Sequence, residues 1–204
     1  MKNTVGLIFW CVRLRSVATA LFALGLLFVA APLSARETYQ QFSLRMLAKP
    51  PEGVVVNADV EAAVFLSTNA YRKAHGLKIF VRAPAALRDA ARTQAMDLLA
   101  MGKMGHVAST GHDFSSRMRA LRPGQMFLPI MAENAARQTK KILNSAENAD
   151  AVLQQWIKSS GHRKNLLDRS YVILAVGAVQ RGDTVYAVQI FMGPEVKSNL
   201  TSGQ

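Results

Sequence analysis

Residues 171–191 have the sequence YVILAVGAVQRGDTVYAVQIF, which is the most informative segment of the chain for its architecture. Two runs rich in β-branched residues, 171–179 and 184–191, flank the connection Gln180-Arg181-Gly182-Asp183. Two such runs joined by a short connection that contains glycine predict an antiparallel hairpin. Residues 127–132 are also extended in character, and we expect a third strand there.

The chain before this hairpin has helical periodicity. Asn57 or Asp59 is placed to cap a helix that Gly76 would end. Pro84 suits the first turn of a second helix, which Gly102 would end. Shorter helices are predicted after Asp113, after Asn148 or Asp150, and over residues 163–167. Helices first and antiparallel strands last predict an α+β layered domain rather than alternating βαβ units.

The N-terminus has the pattern of a secretory signal. Lys2, Arg13 and Arg15 precede the uncharged residues 16–35, and small residues end this apolar stretch. We expect cleavage after Ala35, with a retained membrane anchor as the alternative, because about twenty apolar residues span a bilayer. The protein would then be secreted or periplasmic, with membrane contact only through an uncleaved leader.

The remaining chain divides into three parts. Residues 36–57 contain Lys49-Pro50-Pro51-Glu52-Gly53 and are predicted to be a linker, residues 58–194 to be the domain, and residues 195–204 a tail. The only cysteine, Cys11, lies in the leader, so the mature chain has no disulfide.

The charge balance favours anionic partners. The 204 residues include 25 Lys and Arg against 13 Asp and Glu, a formal net charge of +12. Lipid head groups and acidic envelope polymers are suitable partners for such a surface. Nucleic acid is disfavoured, because no basic segment is interleaved with aromatic residues as in single-strand binders.

Three residues are candidates for chemistry. His106 follows Gly105 beyond a predicted helix end, and His162 follows Gly161 at a predicted helix start, where glycine lets the backbone aim an imidazole into a cleft. Glu133 ends an apolar stretch and therefore needs a partner, either a histidine or a cation. The alternative for each histidine is a hydrogen-bonded structural role. No HExxH, GxSxG, Walker or GxGxxG element is present.

Several short motifs together carry a family resemblance. They are Asn69-x-x-Arg72 with Gly76-Leu77, Gly105-His106, Ala132-Glu133-Asn134-Ala135, Trp156-x-x-Ser159-x-Gly161-His162-Arg163, Val176-Gly177 and Gln189-Ile190-Phe191. In this order they resemble the CAP superfamily of cysteine-rich secretory, antigen 5, plant pathogenesis-related and bacterial SCP-like proteins. The lack of disulfides and the short Ser-Ser-Gly-His segment are similar to the bacterial branch.

The resemblance implies a three-layer α-β-α sandwich with a central cleft. By this resemblance His106, Glu133 and His162 would line the cleft and hold zinc or another divalent cation. Asn134, Ser159 and Arg117 are the further binding candidates. Ser159 stands where many eukaryotic members have a carboxylate, and Arg117 where bacterial members often have an arginine that would pair with a carboxylate.

Three functions follow as hypotheses. The first, implied by the resemblance, is an exported CAP-domain protein without catalysis that binds a lipid or another envelope component, with a cation in the cleft. The second is a metal-dependent, peptidase-like hydrolase in which the cation activates water and Glu133, the candidate catalytic residue, takes its proton. The third is a structural adaptor that contacts acidic polymer through a basic face.

Overall fold

The computed structural model describes residues 37–125, 128–139 and 144–194. These segments belong to one compact unit that begins at residue 36. The expected signal or anchor over 1–35 and the tail over 195–204 lie outside the described residues. Within the described segments, no helix combines the length and apolar character needed to cross a membrane.

The described residues form six helices and five strands. The helices are α1 (Tyr39–Ala48), α2 (Ala58–Ala74), α3 (Ala85–Met101), α4 (Phe114–Leu121), α5 (Ser145–Lys158) and α6 (Ser160–Leu167). The strands are β1 (Val55–Val56), β2 (Val81–Arg82), β3 (Met131–Thr139), β4 (Ile173–Arg181) and β5 (Thr184–Met192).

The sheet has the order β1-β4-β5-β3, with β2 pairing parallel to the start of β4. The predicted hairpin is confirmed as β4 and β5, which pair antiparallel from Ile173↔Met192 to Arg181↔Thr184. The expected third strand is present, but it runs from Met131 to Thr139 and so begins and ends later than the predicted range 127–132, of which residue 127 lies outside the described residues. Its Ala-rich sequence has weak strand propensity, and the strand forms because it pairs with β5 along its whole length.

Helices cover both faces of the sheet. Ala135 and Val188 belong to a hydrophobic cluster with residues of α1, α3 and α4. Their strand neighbours Ala136 and Ala187 belong to a second cluster with residues of α2, α5 and α6. Because successive side chains of a strand point to opposite faces, the two clusters are the two cores of an α-β-α sandwich. The predicted α+β class and layering are confirmed.

One glycine allows α3 to lie directly on the sheet. A Cβ built at Gly177 of β4 would be 2.3 Å from the backbone nitrogen of Arg92 and 2.4 Å from the carbonyl carbon of Ala91. No side chain fits in this space without moving the helix. The position therefore requires glycine.

The expected linker over 36–57 is wrong for residues 39–48, which form α1. Thr38 and Gln41 make a capping box at its start. Tyr39, Phe42 and Met46 are spaced on one helical face and are buried in the cluster that contains α3. Burial of this apolar stripe stabilises the helix. The sequence analysis missed it because the Pro-Pro-Glu-Gly segment that follows is typical of a linker.

Helix starts were predicted with mixed success. Asn57 caps α2 through the backbone N–H of Val60, and Asp113 caps α4, as expected. The start of α5 is earlier than Asn148 or Asp150, because Asn144 forms a capping box with Glu147. The last helix, α6, begins at residue 160 rather than 163.

Candidate functional site

Two histidines face each other beside strand β3. His106 lies in the loop after α3, and its side chain is half exposed. His162 lies in the first turn of α6. Their ring centroids are 6.3 Å apart, with an angle of 66° between the ring planes. We call this pair and its carboxylate neighbour, Glu133, the histidine cleft.

The Glu133 carboxylate is held by two partners. The Nη2 group of Arg117 donates to Oε1 at 2.9 Å and to Oε2 at 2.8 Å. The Nδ1–H of His106 donates to Oε1 at 2.9 Å. The side chain of Glu133 is 2% exposed and that of Arg117 is fully buried. Both oxygens are therefore engaged in a dry ion pair, and one of them also orients the His106 ring.

The two imidazoles have different proton affinities. The hydrogen bond to Glu133 raises the pKa of His106, against burial and the nearby charge of Arg117. Burial, followed by repulsion from His106, lowers the pKa of His162. The pair thus combines one ring whose affinity for a proton is raised with one whose affinity for a proton is lowered.

The neighbouring strand residue positions the other side of the cleft. Asn134 points to the opposite face from Glu133 and is fully buried. Its Nδ2 group donates to the backbone carbonyl of His162 at 3.2 Å, and its Oδ1 accepts from Asn165 at 2.9 Å. Asn134 also contacts Gln189 of β5. This network fixes the first turn of α6, which carries His162.

The motif residue Arg72 supports α6 from its far end. Its Nη1 group donates to the carbonyl oxygens of Leu166 and Asp168 at 2.6 and 2.9 Å. Its guanidinium also lies 3.9 Å from the ring centroid of Phe80. Asn69, one helical turn earlier, exchanges two hydrogen bonds with the backbone of Phe80. Asn69 and Arg72 thus fix the backbone at Phe80 and at the C-terminal end of α6, the helix that carries His162.

The comparisons with known proteins agree with this geometry. The family model of the cysteine-rich secretory proteins, CAP, matches residues 66–191, more than half of the chain. This chain belongs to the CAP family. It is 27% identical to an extracellular SCP-domain protein of Bacillus anthracis, with a TM-score of 0.53. That similarity covers 66% of this chain and 40% of the Bacillus chain, so the match spans less than half of that protein.

A second solved structure with a similar fold is more distant in sequence. An outer surface protein of Borrelia burgdorferi has 13% identity and a TM-score of 0.58, and the similarity covers 70% of this chain and 98% of that one. None of the curated proteins compared matches the sequence. The resemblance to the bacterial SCP-like branch is confirmed.

The remaining binding candidate of this CAP domain, Ser159, and the other two histidines lie outside the histidine pair. Ser159 joins α5 to α6, and its side chain makes no cap hydrogen bond there. His75 ends α2, and its Nδ1 lies 2.8 Å from the carbonyl oxygen of Tyr71. The ring of His112 packs 5.3 Å from that of Tyr39.

The donor set of the histidine cleft suits a cation held by two imidazoles. Among the described residues, no three His, Cys, Asp or Glu side chains are grouped so as to hold a metal ion. Glu133 fits poorly as a third ligand, because Arg117 occupies both of its oxygens. His106 and His162 remain as suitable ligands, and water or a bound molecule would complete the coordination.

Two residues near the CAP cleft escaped the sequence analysis. Asn165 follows His162 by three residues, a spacing that places both on one helical face. Tyr39 lies in α1, outside the matched family region. The sequence signal for this helix was the capping box formed by Thr38 and Gln41. Burial raises the pKa of Tyr39 to about 12, while the nearby Arg117 charge acts to lower it. Tyr39 is buried in the same hydrophobic cluster as Met118 of α4, the helix that carries Arg117.

Proposed function

We propose that this CAP domain is exported and binds an anionic lipid or another envelope component at its surface, with a divalent cation held by His106 and His162 and no catalysis. Its structural relatives include an extracellular protein and an outer surface protein, and this location and the net charge of +12 support the proposed function. The hydrogen bonds from Arg117 and His106 to the Glu133 carboxylate are the observation that favours this function over the hydrolase alternative.

A hydrolase would need a carboxylate able to take a proton from water. Arg117 donates to both oxygens of Glu133, so neither oxygen of this buried carboxylate is left unengaged to take that proton. The same carboxylate instead orients His106, as acidic neighbours of metal-binding histidines do. Because Nδ1 of His106 is engaged, Nε2 is the nitrogen suited to a cation.

A mixed apolar and basic surface supports the lipid part of the proposal. Ile79, Val81 and Val172 are 59%, 67% and 39% exposed. They line a groove of about 600 Å³ together with Lys78 and Arg169. We call this surface the apolar groove. Apolar side chains beside cationic ones match an acyl chain joined to an anionic head group.

Vesicle binding tests the proposed function. The chain from residue 36 onward should float with phosphatidylglycerol vesicles and much less with phosphatidylcholine vesicles, because its attraction is both apolar and electrostatic. Ile79→Ser combined with Val81→Ser should weaken binding by about tenfold or more, since each side chain contributes about 1.5 to 3 kcal/mol when buried.

The matched control is Leu44→Ser combined with Leu66→Ser, which removes two equally exposed side chains outside the groove. This variant should bind as the unchanged protein does. Equal losses in both variants, or no binding to either vesicle, would contradict the lipid proposal. Zinc-dependent turnover of peptide or ester substrates that is lost in a folded Glu133→Gln variant would favour the hydrolase.

A further inference from the structure

A second basic cavity lies at the hairpin end of the sheet. Arg137 and Thr139 of β3, Thr184 of β5 and Arg181 of β4 line a cavity of about 390 Å³. Pairing places Thr139, Thr184 and Arg181 in one row across the three strands. Arg137 is two residues from Thr139 and therefore points to the same face. We call these four residues the arginine cleft.

The two arginines of this cleft have no carboxylate partner among the described residues. Arg45, Arg92 and Arg117 each make an ion pair with a Glu, whereas no described carboxylate lies within ion-pair distance of Arg137 or Arg181. Two guanidinium groups at one cavity repel each other, and an anion between them would relieve this repulsion.

The shape of the cleft restricts the kind of anion. Its floor is formed by Tyr186 and Leu99, which are 3% and 1% exposed. The Thr139 and Thr184 hydroxyl oxygens lie 3.5 Å apart at the rim. The aliphatic stem of Arg181 passes beside Gly53, so the position next to this arginine carries no side chain. The aromatic and aliphatic side chains of the floor suit the carbon skeleton of a ligand. The hydroxyl and guanidinium groups at the rim suit its negatively charged oxygen atoms.

We propose that the arginine cleft binds a phosphate group carried on a small carbon skeleton, such as a glycerol phosphate. Guanidinium groups form paired hydrogen bonds with phosphate oxygens, and threonine hydroxyls donate to the remaining ones. The cavity volume lies within the range of small-molecule sites. This site is separate from the histidine cleft and the apolar groove, and it goes beyond the proposed function.

Calorimetry with glycerol 3-phosphate at low ionic strength tests the proposal on the chain from residue 36 onward. Arg137→Gln combined with Arg181→Gln should weaken binding by about tenfold or more, because both guanidinium groups and their paired N–H donors are lost. Lysine at both positions keeps the positive charge but lacks the paired N–H donors of a guanidinium group. It should therefore recover only part of the affinity for glycerol 3-phosphate. Circular dichroism should show all variants folded, since both arginines are exposed.

The charge-matched control is Lys73→Gln combined with Arg119→Gln, two exposed cations outside the cleft. It should bind glycerol 3-phosphate as the unchanged protein does. An equal loss in this control, or no binding by the unchanged protein, would overturn the proposal. A loss of phosphatidylglycerol vesicle binding in the Arg137 and Arg181 variant would assign the phosphate to a lipid head group, and retained vesicle binding would assign it to a soluble ester.

Discussion

Glu133 shows how single residues define the chemistry of the cleft. Its carboxylate lies in an apolar surrounding with a fully buried guanidinium on one side and a half-exposed imidazole on the other. Removing one partner of such a buried pair leaves the other charge uncompensated. Glu133 therefore stabilises the fold and sets the proton affinity of His106 through the same hydrogen bonds.

The proton affinities of the two histidines are directly measurable. In metal-free protein, an NMR titration should give His106 a pKa above the ordinary 6.5 and His162 a pKa below it. Glu133→Gln should lower the pKa of His106, because the charged acceptor is lost, and should cost about 1 to 3 kcal/mol of stability.

The sign of the pH dependence follows from the same shifts. The contribution of His106 to stability is complete below the unfolded pKa and is lost as pH rises through the higher folded pKa. The contribution of His162 has the opposite sign, since it is complete above the unfolded pKa and is lost as pH falls. The exposed capping residue provides a control, because Glu147→Gln should leave the pKa of His106 unchanged. An unchanged His106 pKa in Glu133→Gln would show that the carboxylate does not face the ring.

At the scale of elements, α1 lies entirely before the matched family region, which begins at residue 66. It packs on α3 through Tyr39, Phe42 and Met46, while Leu44 on its other face is 62% exposed. Because Tyr39 packs in one hydrophobic cluster with Met118 of α4, docking of α1 also supports the helix that carries Arg117. The helix is therefore expected to behave as an integral part of the domain.

Urea unfolding tests the docking of α1. Phe42→Ala should lower the free energy of unfolding by about 3 to 5 kcal/mol, because it removes a buried aromatic ring. Leu44→Ala on the exposed face should change it by no more than about 0.5 kcal/mol. Small and equal effects of the two substitutions would mean that α1 does not pack on α3 in solution.

Local sequence signals predicted some elements well and others poorly. The β4–β5 hairpin and the caps at Asn57 and Asp113 depend on nearby residues, so their positions were predictable. Strand β3 was misplaced because its alanines carry little strand preference and its register depends on β5, fifty residues later. The α1 capping box was present in the sequence, but the Pro-Pro-Glu-Gly segment after it favoured a linker.

The candidate site was predictable only in part. The family resemblance named the three cleft residues, and the structure brings His106, Glu133 and His162 together. The sequence did not reveal that Arg117 engages both oxygens of Glu133, since this contact depends on how α4 packs against β3. The contact with Arg117 decides how Glu133 is interpreted, because a carboxylate with both oxygens engaged is better suited to orient His106 than to bind a cation itself.

At the scale of the whole molecule, the histidine cleft and the apolar groove lie at different edges of the sandwich. The histidine cleft is beside β3, at one end of the strand order, whereas the apolar groove includes Val81 of β2, which pairs with β4. Cation binding and surface binding are therefore expected to be separable by mutation.

Diffraction from zinc-soaked crystals at the zinc absorption edge tests the central claim most directly. We predict an anomalous peak at about 2.0 to 2.1 Å from one ring nitrogen of His106 and one of His162. Glu133 should remain paired with Arg117, and no peak should appear in His106→Ala combined with His162→Ala. A zinc ion bound to the Glu133 carboxylate with Arg117 displaced, or bound only at His75 or His112, would contradict a cation site formed by the two facing histidines.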